Sequence, residues 1–281
     1  MAHAGSIIFS GDEGISLLAD VWGAPRYGTV LLAHGGGQTR HAWSKTAIRL
    51  AENGWQAIAI DLRGHGESNW SPTGDYRIDR FGADLVQVAS QIGSKPALVG
   101  ASLGGIAGIM AETMLAPSTF RSLTLVDITP RIDPAGVSKV MGFMSQHVED
   151  GFSSLEEVAE FIGSYLPGRK KPSDLSGLLK NLRLHSDGRY RWHWDPRFVT
   201  SVQAGRGDPA KFNAELSNLV VPVHLIRGRQ SEMVSEQAVR DFLAAVPHAK
   251  YTDVENAGHM VAGDRNDIFT DAVISFLREN I

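Results

Sequence analysis

Ala97-Leu98-Val99-Gly100-Ala101-Ser102-Leu103-Gly104-Gly105-Ile106 is the stretch whose reading decides the fold. A short apolar run leads into Gly-x-Ser-x-Gly, and an amphipathic segment reaching Leu115 follows it. The pattern predicts a strand, a sharp turn and a helix. Small residues on both sides of Ser102 let strand and helix approach, and they tolerate the strained backbone that such an elbow imposes on its central residue. Ser102 is therefore expected to project from the carboxyl edge of a sheet.

Outward from this elbow, short apolar runs alternate with longer amphipathic segments, which signals βαβ units. Thr29–Ala33, Trp55–Ile60, Ala97–Gly100 and Leu123–Val126 are near-continuous apolar runs and predict buried parallel strands. His41–Asn53, Asp79–Ile92 and Leu103–Leu115 carry apolar residues at three- and four-residue spacing and predict helices. Upstream, Ser6–Ser10 and Ile15–Trp22 flank Gly-Asp-Glu-Gly and read as an antiparallel hairpin. Downstream, strand-like Val221–Ile226 and Ala249–Val254 are separated by a helix-like Glu236–Ala245 and followed by a closing helix over Asp267–Glu279. The rhythm stops between Pro130 and Leu219, where the chain is helical or irregular apart from an ambiguous Arg189–Trp194. A core of residues 1–129 and 220–281 with an insertion over 130–219 follows. Such an insertion leaves from the carboxyl edge of the strands, where ligands bind in open α/β sheets.

Composition narrows the chemistry. The chain has 281 residues, 43% hydrophobic and 21% charged, in the range of a globular protein. Its 27 basic and 31 acidic residues, a net charge of -4, give no footprint for a nucleic acid, and none is expected as a partner. There is no cysteine, so disulfides, thiolate metal sites and thiol nucleophiles are excluded. No His-Glu-x-x-His or similar cluster occurs, and neither a metal nor an organic cofactor is expected. The start Met1-Ala2-His3-Ala4-Gly5-Ser6 lacks the features of a secretory signal, and no apolar run approaches the roughly 20 residues that span a bilayer. A cytoplasmic location without membrane contact is the expectation. Without a sustained heptad pattern, a monomer or homodimer is expected.

Two further segments carry chemistry. His34-Gly35-Gly36-Gly37 follows the strand Thr29–Ala33, where glycines let backbone N–H groups line a cavity. Gly36 and Leu103, the residue after Ser102, are the expected N–H donors of an oxyanion hole. His34 itself, next to the strand, reads as a structural hydrogen-bonding group. Of the ten histidines only His259, in Asn256-Ala257-Gly258-His259-Met260, follows the last strand, and a loop there can reach the same sheet edge as Ser102. His65, in Asp61-Leu62-Arg63-Gly64-His65-Gly66-Glu67-Ser68, reads as part of a structural loop.

Taken in order, His34–Gly37, Asp61–Ser68, the Ser102 elbow, Leu125-Val126-Asp127 and Gly258-His259 resemble the α/β-hydrolase fold superfamily over essentially the whole chain. That resemblance implies an α/β fold with a mostly parallel eight-stranded sheet, a Ser–acid–His triad and a variable, mainly helical cap where residues 130–219 lie. The acid departs from the common pattern. Many members place an aspartate three residues beyond a glycine ending the seventh strand, but here Gly228-Arg229-Gln230 is followed by Ser231 and then Glu232. Glu232 is the first choice, one position late and one methylene longer. Asp127, at a site some relatives use, is the alternative. Asp264 follows His259 too closely along the chain to be favoured as the orienting partner.

In the implied chemistry Ser102 attacks a carbonyl, His259 takes and returns the proton, the acid fixes the imidazole and water resolves an acyl-enzyme. A carboxylic ester or lactone is the expected substrate. The insertion is rich in large apolar side chains, so that substrate is expected to be a small to medium hydrophobic molecule meeting Phe143, Met144, Trp192 and Trp194. Hydrolysis of a C–C bond in a diketone, perhydrolysis and acyl transfer use the same parts. A cofactor-free oxygenase and a non-catalytic small-molecule receptor are the alternatives of another class. Haloalkane dehalogenases and epoxide hydrolases of this fold are disfavoured, because they carry a carboxylate where Ser102 stands. In Arg189–Trp194, alternation would put Tyr190, Trp192 and Trp194 on one face and the two arginines with His193 on the other.

Overall fold

The computed structural model describes residues 3–165, 174–204 and 209–280. The hairpin forms as β1 (His3–Ser10) and β2 (Ser16–Trp22), and β2 pairs antiparallel with β4 (Gln56–Ile60). From β4 onward every pairing is parallel: β3 (Thr29–Ala33), β5 (Ala97–Ala101), β6 (Leu123–Val126), β9 (Val223–Gly228) and β10 (Lys250–Val254). The eight strands lie in the order β1-β2-β4-β3-β5-β6-β9-β10. β7 (Leu182–Leu184) and β8 (Tyr190–Trp192) form a separate antiparallel hairpin.

The central strands read as continuous apolar runs because both faces are covered. In β3, Val30 and Leu32 face the layer built by α1 (Ser44–Glu52) and the closing helix α10 (Asn266–Glu279), whereas Leu31 and Ala33 face the opposite layer. That opposite layer contains α2 (Ile78–Gln91), α3 (Leu103–Met110) and α8 (Glu236–Ala245). The helix predicted to reach Leu115 is regular only to Met110 and widens into a π turn over Ala111–Leu115.

Between β6 and β9 the chain leaves the sheet. It builds α4 (Pro134–Ser145), α5 (Leu155–Tyr165), the β7–β8 hairpin, α6 (Arg197–Ala204) and α7 (Pro209–Ala214). The ambiguous Arg189–Trp194 stretch is β8 and its continuation, and its alternation has a direct consequence. Trp192 and Trp194 stack on one side, centroids 4.8 Å apart, while His193 turns the other way into the protein interior. α9 (Val261–Asp264) is a single turn ahead of α10.

Candidate active site

Ser102 sits between β5 and α3 with φ 45° and ψ -108°, a left-handed backbone that an L residue adopts only under constraint. The constraint is close packing. A Cβ on Gly104 would lie 2.4 Å from the carbonyl oxygen of Ala33, and one on Gly100 would lie 2.6 Å from the backbone of Gly104. Helix and strands therefore meet at a separation only glycine permits. The Ser102 N–H donates to the Val126 carbonyl at 3.1 Å, tying the elbow to the end of β6.

Asp127 is the next residue after β6, also with positive φ (51°), and is completely buried. Its Oδ2 lies 2.6 Å from His259 Nδ1, and its Oδ1 accepts the Gly228 N–H at 3.0 Å. The Ser231 hydroxyl donates to Oδ2 at 2.5 Å. A buried carboxylate needs such donors, because water is absent to solvate its charge. The His259 side chain retains 22% exposure, so the ring is fixed on one side and open on the other.

The carboxylate that meets His259 is Asp127, the alternative, and not Glu232, the first choice. Glu232 does not reach His259: its side chain is 63% exposed and its carboxylate pairs with Lys139 Nζ at 2.6 and 2.8 Å. The turn after Gly228 aims Ser231 inward and sends the following side chain to solvent. Asp264 accepts the Gly258 N–H at 3.1 Å and so shapes the loop before His259.

The glycine loop after β3 is pinned through the neighbours of the two expected oxyanion donors. Gly35 N–H donates to Gln38 Oε1 at 2.9 Å, Gly37 N–H to His65 Nε2 at 3.1 Å and Gly104 N–H to the His34 carbonyl at 3.1 Å. Leu103 opens α3, where an N–H has no partner within the helix. The Cβ of Ser102 lies 3.4 Å from where a Cβ on Gly35 would stand, so loop and elbow adjoin. Gln38 Nε2 also contacts Met260 Sδ at 3.2 Å, joining this loop to the one that carries His259.

Three buried imidazoles hold this arrangement. His34 donates from Nδ1 to the Gly35 carbonyl (2.8 Å) and accepts the Leu62 N–H at Nε2 (3.0 Å). His65 donates from Nδ1 to the Arg63 carbonyl (2.9 Å) and accepts from Gly37. His193, from the inserted segment, accepts the Gly66 N–H at Nδ1 (2.7 Å) and donates from Nε2 to the Gly37 carbonyl at 3.3 Å. Each ring gives one proton and receives one, which requires the neutral form. The Asp61–Ser68 loop that carries His65 is anchored by buried Arg40–Asp61 and Arg63–Asp84 pairs at 2.5 and 2.6 Å.

Burial pushes His34 down to about 4 and His65 to about 3, and it holds His193 well below its ordinary value of 6.5. Below pH 6.5 an unfolded chain protonates these rings while the folded chain cannot. Their contribution is therefore complete above pH 6.5 and is lost as pH falls from there towards 4 and then 3. Each ring gives a slope of about 1.4 kcal/mol per pH unit, so the three together give about 4 kcal/mol per unit. Urea unfolding at pH 7.5, 6.5 and 5.5 should show little change over the first interval and a large drop over the second. Equal midpoints at all three would refute the neutral assignment.

Large side chains of the insertion close over the glycines. The position of a Cβ on Gly37 lies 3.0 Å from Met144 Cε and 3.4 Å from Trp194 Cζ3, and that on Gly36 lies 3.4 Å from Phe198 Cζ. Phe198 was visible in the sequence only as one of many aromatic residues, and nothing local marks it out. Phe143 and Trp192 meet other aromatic residues of the insertion. Phe143 stacks on Phe161 and Tyr165 (4.9 and 4.2 Å), and Trp192 packs edge-on against Phe152 (5.1 Å) with its Nε1–H on the Gln146 carbonyl. Both pack among aromatic residues of the inserted segment, in a cluster continuous with one face of the sheet.

A family profile for the α/β hydrolase fold matches residues 28–265 of this chain. The chain belongs to that family. It is 30% identical over 257 residues to an esterase of Mycobacterium tuberculosis, covering 87% of this chain and 80% of that protein. It is 28% identical over 238 residues to an esterase of Escherichia coli, covering 81% and 84%. A crystal structure of E-2-(acetamidomethylene)succinate hydrolase superposes with a TM-score of 0.83 at 22% identity, covering 99% of this chain and 100% of that one, a likeness of fold. Within its family the chain is an ester-hydrolysing enzyme. Among the described residues no helix is long and apolar enough to cross a membrane.

Proposed function

We propose that this enzyme cleaves a carboxylic ester or lactone of a small to medium, largely hydrophobic molecule through Ser102, His259 and Asp127. The observation that carries the reading is the bond between His259 Nδ1 and the buried Asp127 carboxylate, beside a strained serine at the neighbouring strand end. With Nδ1–H given to Asp127, His259 keeps Nε2 as a base for the Ser102 proton. Ser102 Oγ then bonds to the substrate carbonyl carbon and the proton passes to His259. As the tetrahedral intermediate collapses, His259 returns that proton to the departing alcohol, leaving an acyl-enzyme. Water, deprotonated by the same nitrogen, bonds to the acyl carbon; as the Oγ–acyl bond breaks, His259 returns the proton to Ser102 Oγ and the carboxylic acid product leaves. The N–H groups of Gly36 and Leu103 receive the oxyanion, a stabilisation worth roughly 3 kcal/mol per donor.

Residues 130–219 act as a cap in this reading. Met144, Trp194 and Phe198 form an apolar wall against the glycine loop, which supports a substrate whose bulk near the carbonyl is hydrocarbon. The test is exposure of the purified enzyme to an alkyl fluorophosphonate, followed by intact mass and peptide mapping. One adduct, on Ser102, is expected. A folded enzyme that takes up no label, or takes it on another serine, would overturn the assignment.

A further inference from the structure

Ser231 stands at the third position beyond Gly228, where a carboxylate would be expected in the commoner arrangement, and its hydroxyl meets the acid that lies elsewhere. Resting on the Ser102–His259–Asp127 reading above, we infer that Ser231 is a positioning residue that aims the Asp127 carboxylate at His259.

The argument is a count of lone pairs. A serine hydroxyl has one proton to give and two lone pairs to receive with. Ser231 Oγ accepts the Met233 N–H at 3.1 Å and the Val234 N–H at 3.3 Å, which occupies both acceptor sites. Its proton is left with one direction, and Asp127 Oδ2 is there at 2.5 Å. The hydroxyl is thus a rotor locked by backbone. On the other side of the bond, Oδ2 is the oxygen that also holds His259 Nδ1, while Oδ1 is taken by Gly228 N–H. Asp127 has no exposure, so these donors alone decide how its carboxylate plane is turned. Without Ser231 the oxygen facing His259 keeps only the imidazole, and the plane can rotate about the Gly228 bond. The imidazole would then be oriented less often for attack, which slows chemistry without touching substrate binding.

The test is a double-variant cycle on the full-length enzyme with 4-nitrophenyl butyrate as probe, reading kcat and KM separately, with the fluorophosphonate labelling rate as a second measure of Ser102 reactivity. Ser231→Ala is expected to lower kcat and the labelling rate about 10- to 100-fold, the scale of losing one hydrogen bond to a buried charge, with KM within about twofold. Ser231→Thr, which keeps the hydroxyl, is expected to retain most of the activity. In an Asp127→Asn background the alanine substitution should cost less than about threefold further, because the group through which it acts is already gone. An equal factor in both backgrounds would overturn the proposal, as would an unchanged kcat in Ser231→Ala or a Ser231→Thr enzyme as slow as Ser231→Ala. If Asp127→Asn alone leaves kcat unchanged, the acid assignment has failed, and the positioning role falls with it for that separate reason. Circular dichroism melts of each variant identify any that loses activity by unfolding.

Discussion

Ser102→Ala is expected to lower kcat by a factor on the order of 10⁵ to 10⁶ while leaving the fold in place. The loss is large because the hydroxyl is the atom that bonds to substrate. The remaining donors and the imidazole can bind a carbonyl compound, but they cannot form the acyl-enzyme. The fold should persist because the serine side chain makes no cap to α3, and the constraint at position 102 comes from backbone packing around Gly100 and Gly104. Alanine pays the same left-handed strain as serine. Assay of kcat with 4-nitrophenyl butyrate alongside a thermal melt checks both parts. An alanine enzyme with more than about a hundredth of the original rate would show that another group is the nucleophile.

Replacing the acid is expected to cost about 10⁴ in kcat for Asp127→Asn and less than about twofold for Glu232→Gln. An asparagine presents an amide where Nδ1–H needs an ionised oxygen. The imidazole then loses both the partner that sets its tautomer and the charge that stabilises its protonated form. Glu232 contributes a surface ion pair with Lys139, and exposed pairs of that kind are worth little. The comparison is made on the same ester under the same conditions. If Glu232→Gln proves the more damaging, the acid belongs to the loop after β9 and Asp127 is structural.

The two carboxylates illustrate where sequence reading ends. Strands β3 to β6, the elbow and the lone histidine after the last strand were legible because each rests on a local pattern: apolar continuity, glycine spacing, or order along the chain. The acid rests on none of these. Asp127 and His259 are 132 positions apart, and both candidate acids stand one or a few residues beyond a strand end. Which of them meets His259 is set by one turn. After Gly228 the chain brings Ser231 onto Asp127 and leaves Glu232 on Lys139, a matter of which side chain a few backbone torsions point inward.

The same division runs through the inserted segment. Its wealth of aromatic and sulfur-bearing residues was plain, but composition cannot separate a side chain that packs the segment's own centre from one that faces the site. Phe143 and Trp192 pack on other aromatic residues of the segment, and Met144, Trp194 and Phe198 lie against the glycine loop. His193 lies between two tryptophans in the chain, yet it reaches Gly37 because alternation along an extended strand turns it to the opposite side. Sequence by itself determined the α/β sheet, the strand–turn–helix around Ser102 and the class of chemistry, since these follow from periodicity and residue type over a few positions. Only the tertiary structure shows which carboxylate meets His259, which apolar side chains lie against the glycine loop and which histidines pin it, since burial and hydrogen-bond satisfaction depend on which distant segments share one enclosed volume.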